Sequence, residues 1–214
     1  MKIDVLNLSK EFKNNKVLQS INVEFNEGKI YGLIGKNGSG KSVFLKVLCG
    51  FYKPTSGKVL VDGRDISEEG IFLPEARALI EHPNFISDLT GYENLLLLAN
   101  IQNKIGKEEI EKSLKEVNLY QEKNKVYSSY SLGMKQKLGI AQVIMENPKI
   151  MIFDEPFNGI ENDTVEKISK KLLELKKQGK IIILTSHHNE EISKLADEIY
   201  KFENGKIQSI KKLD

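Results

Sequence analysis

The chain has no tryptophan, one cysteine (Cys49), and only two arginines, Arg64 and Arg77, among its 32 basic residues. A single cysteine excludes an intrachain disulfide, which suits a reducing cytosol. In "KVLCGF" Cys49 reads as a small buried hydrophobe. So few arginines leave little of the planar-fork chemistry that reads bases, and 32 basic against 30 acidic residues leave no basic surface for nucleic acid. Long apolar runs are also missing. The longest, "LLLLA" at 95–99, falls far short of the roughly 20 residues of a bilayer span, so the chain is not expected to cross a membrane alone. "MKIDVLNLSK" alternates apolar and polar residues and has no apolar signal core.

What is present is ordinary for a soluble domain: 214 residues, 40% hydrophobic and 29% charged. That length fills one core, with room for a subdomain. "KIDVLNL" (2–8) and "VLQSINVEF" (17–25) alternate like half-buried antiparallel strands. "KIYGLIG" (29–35), "KIMIF" (149–153) and "KIIILT" (180–185) are short apolar runs that read as buried strands, and "GKVLVDG" (57–63) is a strand between turn signals. Helical periodicity runs through 41–50, 90–101, 107–119, 131–146 and 161–178. Strands alternating with helices predict an α/β fold around a mainly parallel sheet, with an antiparallel β part near the N-terminus. A helical subdomain is expected at about 82–147, inserted between core segments 1–80 and 148–214 of a single domain.

"GKNGSGKS" (35–42) fits G-x-x-x-x-G-K-[ST], the phosphate loop. Gly35, Gly38 and Gly40 let the backbone bend around an anion and turn its N–H groups inward. The loop opens a helix whose dipole favours phosphate. Lys41 is placed for the β- and γ-phosphates and the Ser42 hydroxyl for Mg²⁺, while Lys36, Asn37, Ser39 and Val43 complete the ATP-binding stretch. Past the next buried strand, "IMIFDEP" supplies two carboxylates. Asp154 is the expected Mg²⁺ residue, and Glu155 the base that orients and deprotonates a water. "ILTSHH" follows another strand. His187 is a candidate for the γ-phosphate, against the plainer reading of a satisfied histidine; His188 and His82 keep the plainer one.

"YSLGMKQK" (130–137) repeats the ingredients of the phosphate loop: a hydroxyl, a glycine and a helix start. By itself Ser131 is a helix N-cap. In this order, however, the motifs resemble the nucleotide-binding subunits of ATP-binding-cassette (ABC) transporters over nearly the whole chain. Within that family "LIEHPNFISDLTGYENL" (79–95), "YSLGMKQKLGIA" (130–141) and "DEPFNGIE" (154–161) look most like ATPases of bacterial exporters for bacitracin and lantibiotic-like peptides. The resemblance implies that "YSLGM" is the family signature, with Leu132 and Met134 in place of its glycine and glutamine. Ser131 and Gly133 would then cap the γ-phosphate held by a second subunit, either a copy or a homologue.

The resemblance also implies that Glu81 stands where a glutamine contacts Mg²⁺, and that Asn158, Gly159 and Glu161 form a dimer-contact loop. Phe12 aligns with the aromatic that stacks on adenine; a core phenylalanine is the equal alternative. A separate membrane-spanning permease is implied as partner, placing the chain on the cytoplasmic face of the membrane. Residues 81–95, with Phe85, Ile86 and Leu89, are the expected docking segment, unless they pack into their own subdomain. The rival readings are a soluble ABC-type ATPase of repair or translation and a P-loop kinase. The first would carry coiled-coil insertions or a second cassette, absent from these residues, and the second would leave "YSLGM" idle.

Overall fold

A computed structural model describes residues 1–13, 15–68, 71–187 and 192–213. His188 therefore lies outside the described residues. The two alternating N-terminal segments form a hairpin. β1 (Lys2–Phe12) and β2 (Asn15–Asn26) pair antiparallel with Lys2 opposite Asn26 and Phe12 opposite Asn15. β4 (Ser56–Val61) joins the other side of β1, and the two-residue β5 (Arg64–Asp65) completes a sheet of order β2-β1-β4-β5.

The second sheet has β3 (Lys29–Ile34), β6 (Ala76–Leu79), β7 (Ile150–Phe153), β8 (Ile181–Ser186), β9 (Glu198–Glu203) and β10 (Lys206–Lys212) in the order β10-β9-β3-β8-β7-β6. Its pairings are parallel except β9 with β10. Every residue of β7 and β8 is buried, as a sheet covered on both faces requires.

The strand period of two divides these side chains between two cores. Tyr31, Leu33, Ile150, Ile152, Ile181 and Ile183 face the antiparallel sheet and α1 (Lys41–Leu48). Ile30, Met151, Phe153, Ile182 and Leu184 face the helices. On that side lie α2 (Gly91–Gln102), α3 (Lys107–Glu116), α4 (Leu132–Ile144) and α5 (Asn162–Lys177). Ile168, Leu172 and Leu175, at helical spacing, form the buried stripe of α5. Thr90 and Glu93 make a reciprocal capping box that starts α2, and Ser131 caps α4.

Cys49 is buried, and burial pushes its thiol up to about 12, so it is no nucleophile at neutral pH. Within the 81–95 segment, Phe85 turns inward with its ring 5.3 Å from that of Tyr127. Ile86 is the large apolar side chain left outside, 54% exposed.

The register brings the chemistry together. Ile34 lies opposite Ser186 and Phe153 opposite Leu184. The loops leaving β3, β7 and β8 at their C-terminal ends are therefore neighbours, where ligands sit in such sheets.

Candidate functional site

Between β3 and α1 the chain turns through Gly38 at φ +78° and Gly40 at φ +107°, a region L side chains rarely adopt. Lys36, Asn37 and Gly38 are exposed at the tip, Ser42 and Val43 are half-buried, and Ser39 is buried. Among the described residues the Ser39 hydroxyl has no hydrogen-bond partner. An orphaned buried hydroxyl is costly, and an entering phosphate oxygen is the partner that would satisfy it. A Cβ on Gly35 would lie 2.4 Å from the Phe202 carbonyl oxygen, so no larger residue fits at the start of the loop.

Lys41 is 5% exposed and folds back over the loop, its Nζ donating to the carbonyls of Gly35 at 2.7 Å and Lys36 at 3.3 Å. Burial pushes its pKa below the usual lysine range; the charges of Glu155 and Asp154 act the other way. A buried ammonium answered by backbone carbonyls and two nearby carboxylates is suited to an incoming polyanion.

Asp154 and Glu155 leave β7 in different states. Asp154 is 6% exposed, and its Oδ1 accepts from the Thr185 hydroxyl at 2.6 Å. The same hydroxyl oxygen accepts from the Glu155 backbone N–H at 2.9 Å. Thr185 thereby fixes both acidic residues. Glu155 takes φ +48°, a strained conformation for a residue with a side chain. Its Oε2 accepts from Asn158 Nδ2 at 2.6 Å and lies 3.2 Å from His187 Nδ1. Gln136, buried on α4, donates to the Glu155 carbonyl at 3.2 Å. The carboxylate is thus gripped at one oxygen on a strained backbone, which fixes the direction of the other.

Ser42, Glu81, His82, Asp154, Glu155 and Asn158 line one cleft of about 640 Å³. A second cleft of about 660 Å³ runs along Gly35–Ser39 to His187. Most of the expected residues thus converge. Glu81 reaches the cleft wall, but its carboxylate is engaged by Lys46 Nζ at 2.5 Å. Among the described residues no three acidic, histidine or cysteine side chains converge on one point as a ready-made metal cluster. Phe12 does not join the core. It is 38% exposed, edge-on to Tyr52 at 5.4 Å, with Lys10 Nζ 4.7 Å from its centroid.

Ser131 and Gly133 stand apart from both clefts. Ser131 is exposed, and its hydroxyl accepts from the Met134 N–H at 3.2 Å. Gly133 is buried against the loop after β7: a Cβ there would lie 2.4 Å from the Gly159 carbonyl oxygen. Glu161 pairs with Lys137 of α4 at 2.5 Å. Asn158, Gly159 and Glu161 accordingly touch Glu155, Gly133 and Lys137 of their own chain.

Three orienting residues were missed from sequence: Thr185, Gln136, and Asn158 in its contact with Glu155. Thr185 had a usable signal, a hydroxyl at the C-terminal end of the strand beside the acidic pair. Gln136 had none, since nothing local distinguishes it from a surface glutamine.

The profile of the ABC transporter family matches residues 18–158. A bacitracin transport ATP-binding protein of Enterococcus faecalis is 40% identical over 96% of this chain and 67% of its own length. A lantibiotic transport ATP-binding protein of Streptococcus pyogenes is 32% identical over 99% of this chain and 91% of its own. The chain thus spans about two thirds of the first relative and most of the second. A solved structure described as a dimeric bacterial ABC transporter cassette superposes with a TM-score of 0.91 at 24% identity, covering 99% of both chains, which shows the shared fold. The phosphate loop, the oriented carboxylate and these likenesses lead to one conclusion: the chain belongs to the ABC transporter family, as an ATP-binding subunit that hydrolyses ATP.

Proposed function

We propose that this ATPase powers the export of an antimicrobial peptide or drug through a separate membrane-spanning permease, on whose cytoplasmic side it docks. Among the described residues no helix is long and apolar enough to cross a membrane. Its likeness to bacitracin and lantibiotic transport ATP-binding proteins supports that class of cargo. Two ATPase subunits act together, the second a copy or a homologue. Ile86, exposed in the 81–95 segment, is the apolar contact offered to the permease.

One observation carries the chemistry: Glu155, its backbone at φ +48° bonded to Thr185 and Gln136 and its carboxylate gripped at one oxygen by Asn158 and His187, projects from the strand end beside the phosphate loop. Lys41 and the loop N–H groups bind the phosphates, and Phe12 offers an exposed ring to adenine. Ser42 and Asp154, oxygen donors lining one cleft, fit Mg²⁺. When bound, Mg²⁺ supplies charge neutralisation at the β- and γ-phosphate oxygens. Glu155 takes a proton from the attacking water while Asn158 and His187 hold its other oxygen. Ser131 and Gly133, at the start of α4, meet the γ-phosphate of the partner subunit and add helix-dipole charge there.

The test is Glu155→Gln, which keeps shape and removes the base. We expect ATP affinity to persist and turnover to fall by roughly 10²-fold or more. Turnover near wild type would place the base elsewhere, His187 being the first residue to examine.

A further inference from the structure

The carboxylate at position 81 stands where the family resemblance implies an uncharged glutamine touching the metal, and it already has a partner. Glu81 Oε1 lies 2.5 Å from Lys46 Nζ. Lys46 sits four residues after Ser42 on α1, on the same helix face one turn along. Its side chain is only 21% exposed, whereas that of Glu81 is 60% exposed. The lysine is therefore the fixed member of the pair. Its Nζ lies 5.7 Å from the Tyr52 ring centroid, and Asp154 also favours its charged form. Glu81 holds φ +61°, immediately beyond β6, whose Leu79 carbonyl accepts from the Asp154 N–H at 2.7 Å. The ion pair thus ties this loop to α1 at the edge of the cleft, and the Asp154–Leu79 backbone bond ties the preceding strand to the acidic pair.

We propose that Lys46 is a positioning residue that holds Glu81 out of the metal's coordination sphere, leaving Ser42 and Asp154 as the protein's Mg²⁺ ligands. Two arguments support this. Pulling Glu81 toward a metal breaks its 2.5 Å contact with Lys46 and leaves the less exposed member of the pair without its carboxylate. Mg²⁺ also keeps several waters and takes one or two carboxylates beside nucleotide phosphates, so Asp154 and the phosphates suffice. An exposed pair of this kind adds little to stability, so its effect lies in where it keeps the charge.

The proposal rests on the assignment of Mg²⁺ to Ser42 and Asp154, and the experiment separates the two. Mn²⁺ binding to the chain in saturating ADP is followed by electron paramagnetic resonance, which needs no turnover. Asp154→Asn should weaken Mn²⁺ by at least about tenfold; if it does not, the metal assignment itself is wrong. Glu81→Gln should change Mn²⁺ affinity less than about twofold. Lys46→Met, which keeps the stem and frees the carboxylate, should tighten it about tenfold, and Glu81→Gln added to Lys46→Met should cancel that gain. Lys46→Gln is the second variant if Lys46→Met does not fold. A tenfold loss from Glu81→Gln alone would overturn the proposal, since Glu81 would then be a ligand already. It falls equally if Lys46→Met has no effect, or has the same effect in the Glu81→Gln background.

Discussion

At the start of α1 the N-cap is Gly40, and among the described residues no side chain caps the helix and the nearby buried Ser39 hydroxyl has no partner. At the start of α4 the N-cap is Ser131, whose hydroxyl already accepts from Met134 N–H, and Gly133 is pressed against the Gly159 carbonyl. Similar residue types thus give two different termini. The first is left unsatisfied by the described residues and has room for an anion. The second is complete within its own chain, so anything it does for a ligand comes in addition to holding the helix. The phosphate loop is recognisable by what it leaves unsatisfied; the α4 terminus shows only that its own helix is capped, so the role proposed for it across an interface needs a test of its own.

The comparison breaks or holds first on complementation, where the expected effect is largest. A chain with Lys41→Ala loses the phosphate charge, and one with Ser131→Arg blocks the signature by bulk. Each alone should hydrolyse no ATP. In a mixed dimer one site joins an intact phosphate loop to an intact signature, while the other joins two damaged halves. Action across the interface therefore predicts recovered phosphate release once mixed dimers are verified. Action within one chain predicts none, since every chain carries a lesion. Hydrolysis by the Ser131→Arg dimer alone would remove the signature's role.

The two halves differed in how far sequence could reach. Phosphate loop and acidic pair were legible as patterns because their spacing is local: glycines, a lysine and carboxylates at fixed spacing behind a buried strand. The β1–β2 hairpin and the fully apolar β7 and β8 were legible from their periods. β6 was not, because four residues containing Arg77 show no pattern, and only parallel pairing with β7 makes them a strand. β9 and β10 were also missed; β10 is exposed along nearly its whole length and has no buried face to mark it. The internal role of Gly133 was invisible for a related reason. Its neighbour, Gly159, comes 26 positions later in the chain and is brought there only by the fold.

That neighbour yields the next test. Gly133→Ala places a methyl 2.4 Å from a backbone carbonyl that cannot swing aside. Overpacking of this kind costs about 1–3 kcal/mol, and the helix preference of alanine returns about 1 kcal/mol. Gly139→Ala in the same helix meets the Leu79 side-chain tip at 2.8 Å and Pro83 Cβ at 3.1 Å, side-chain atoms that give way more readily than a backbone carbonyl. Gly133→Ala should therefore lower Tm by several degrees more than Gly139→Ala in thermal unfolding. It should also slow turnover by disturbing the loop that holds Asn158 on Glu155. Equal Tm values would mean that the α4–Gly159 contact relaxes freely.

The smallest effect on the fold separates capping from catalysis at Ser131. Removing the cap with Ser131→Ala should cost about 1 kcal/mol, a fall in Tm of about 2–4 °C. Ser131→Asp restores an acceptor for the Met134 N–H and puts a negative charge at a helix N-terminus, so its Tm should match or exceed wild type. If Ser131 serves only its own helix, Ser131→Asp should hydrolyse ATP normally. If it faces the partner's γ-phosphate, the same carboxylate sets negative charge against negative charge in a water-poor interface. Turnover should then fall well below that of Ser131→Ala although the chain is the more stable of the two. Because stability and activity move in opposite directions, loss of fold cannot imitate the result. Normal turnover by Ser131→Asp would leave the N-terminus of α4 a helix cap and nothing more.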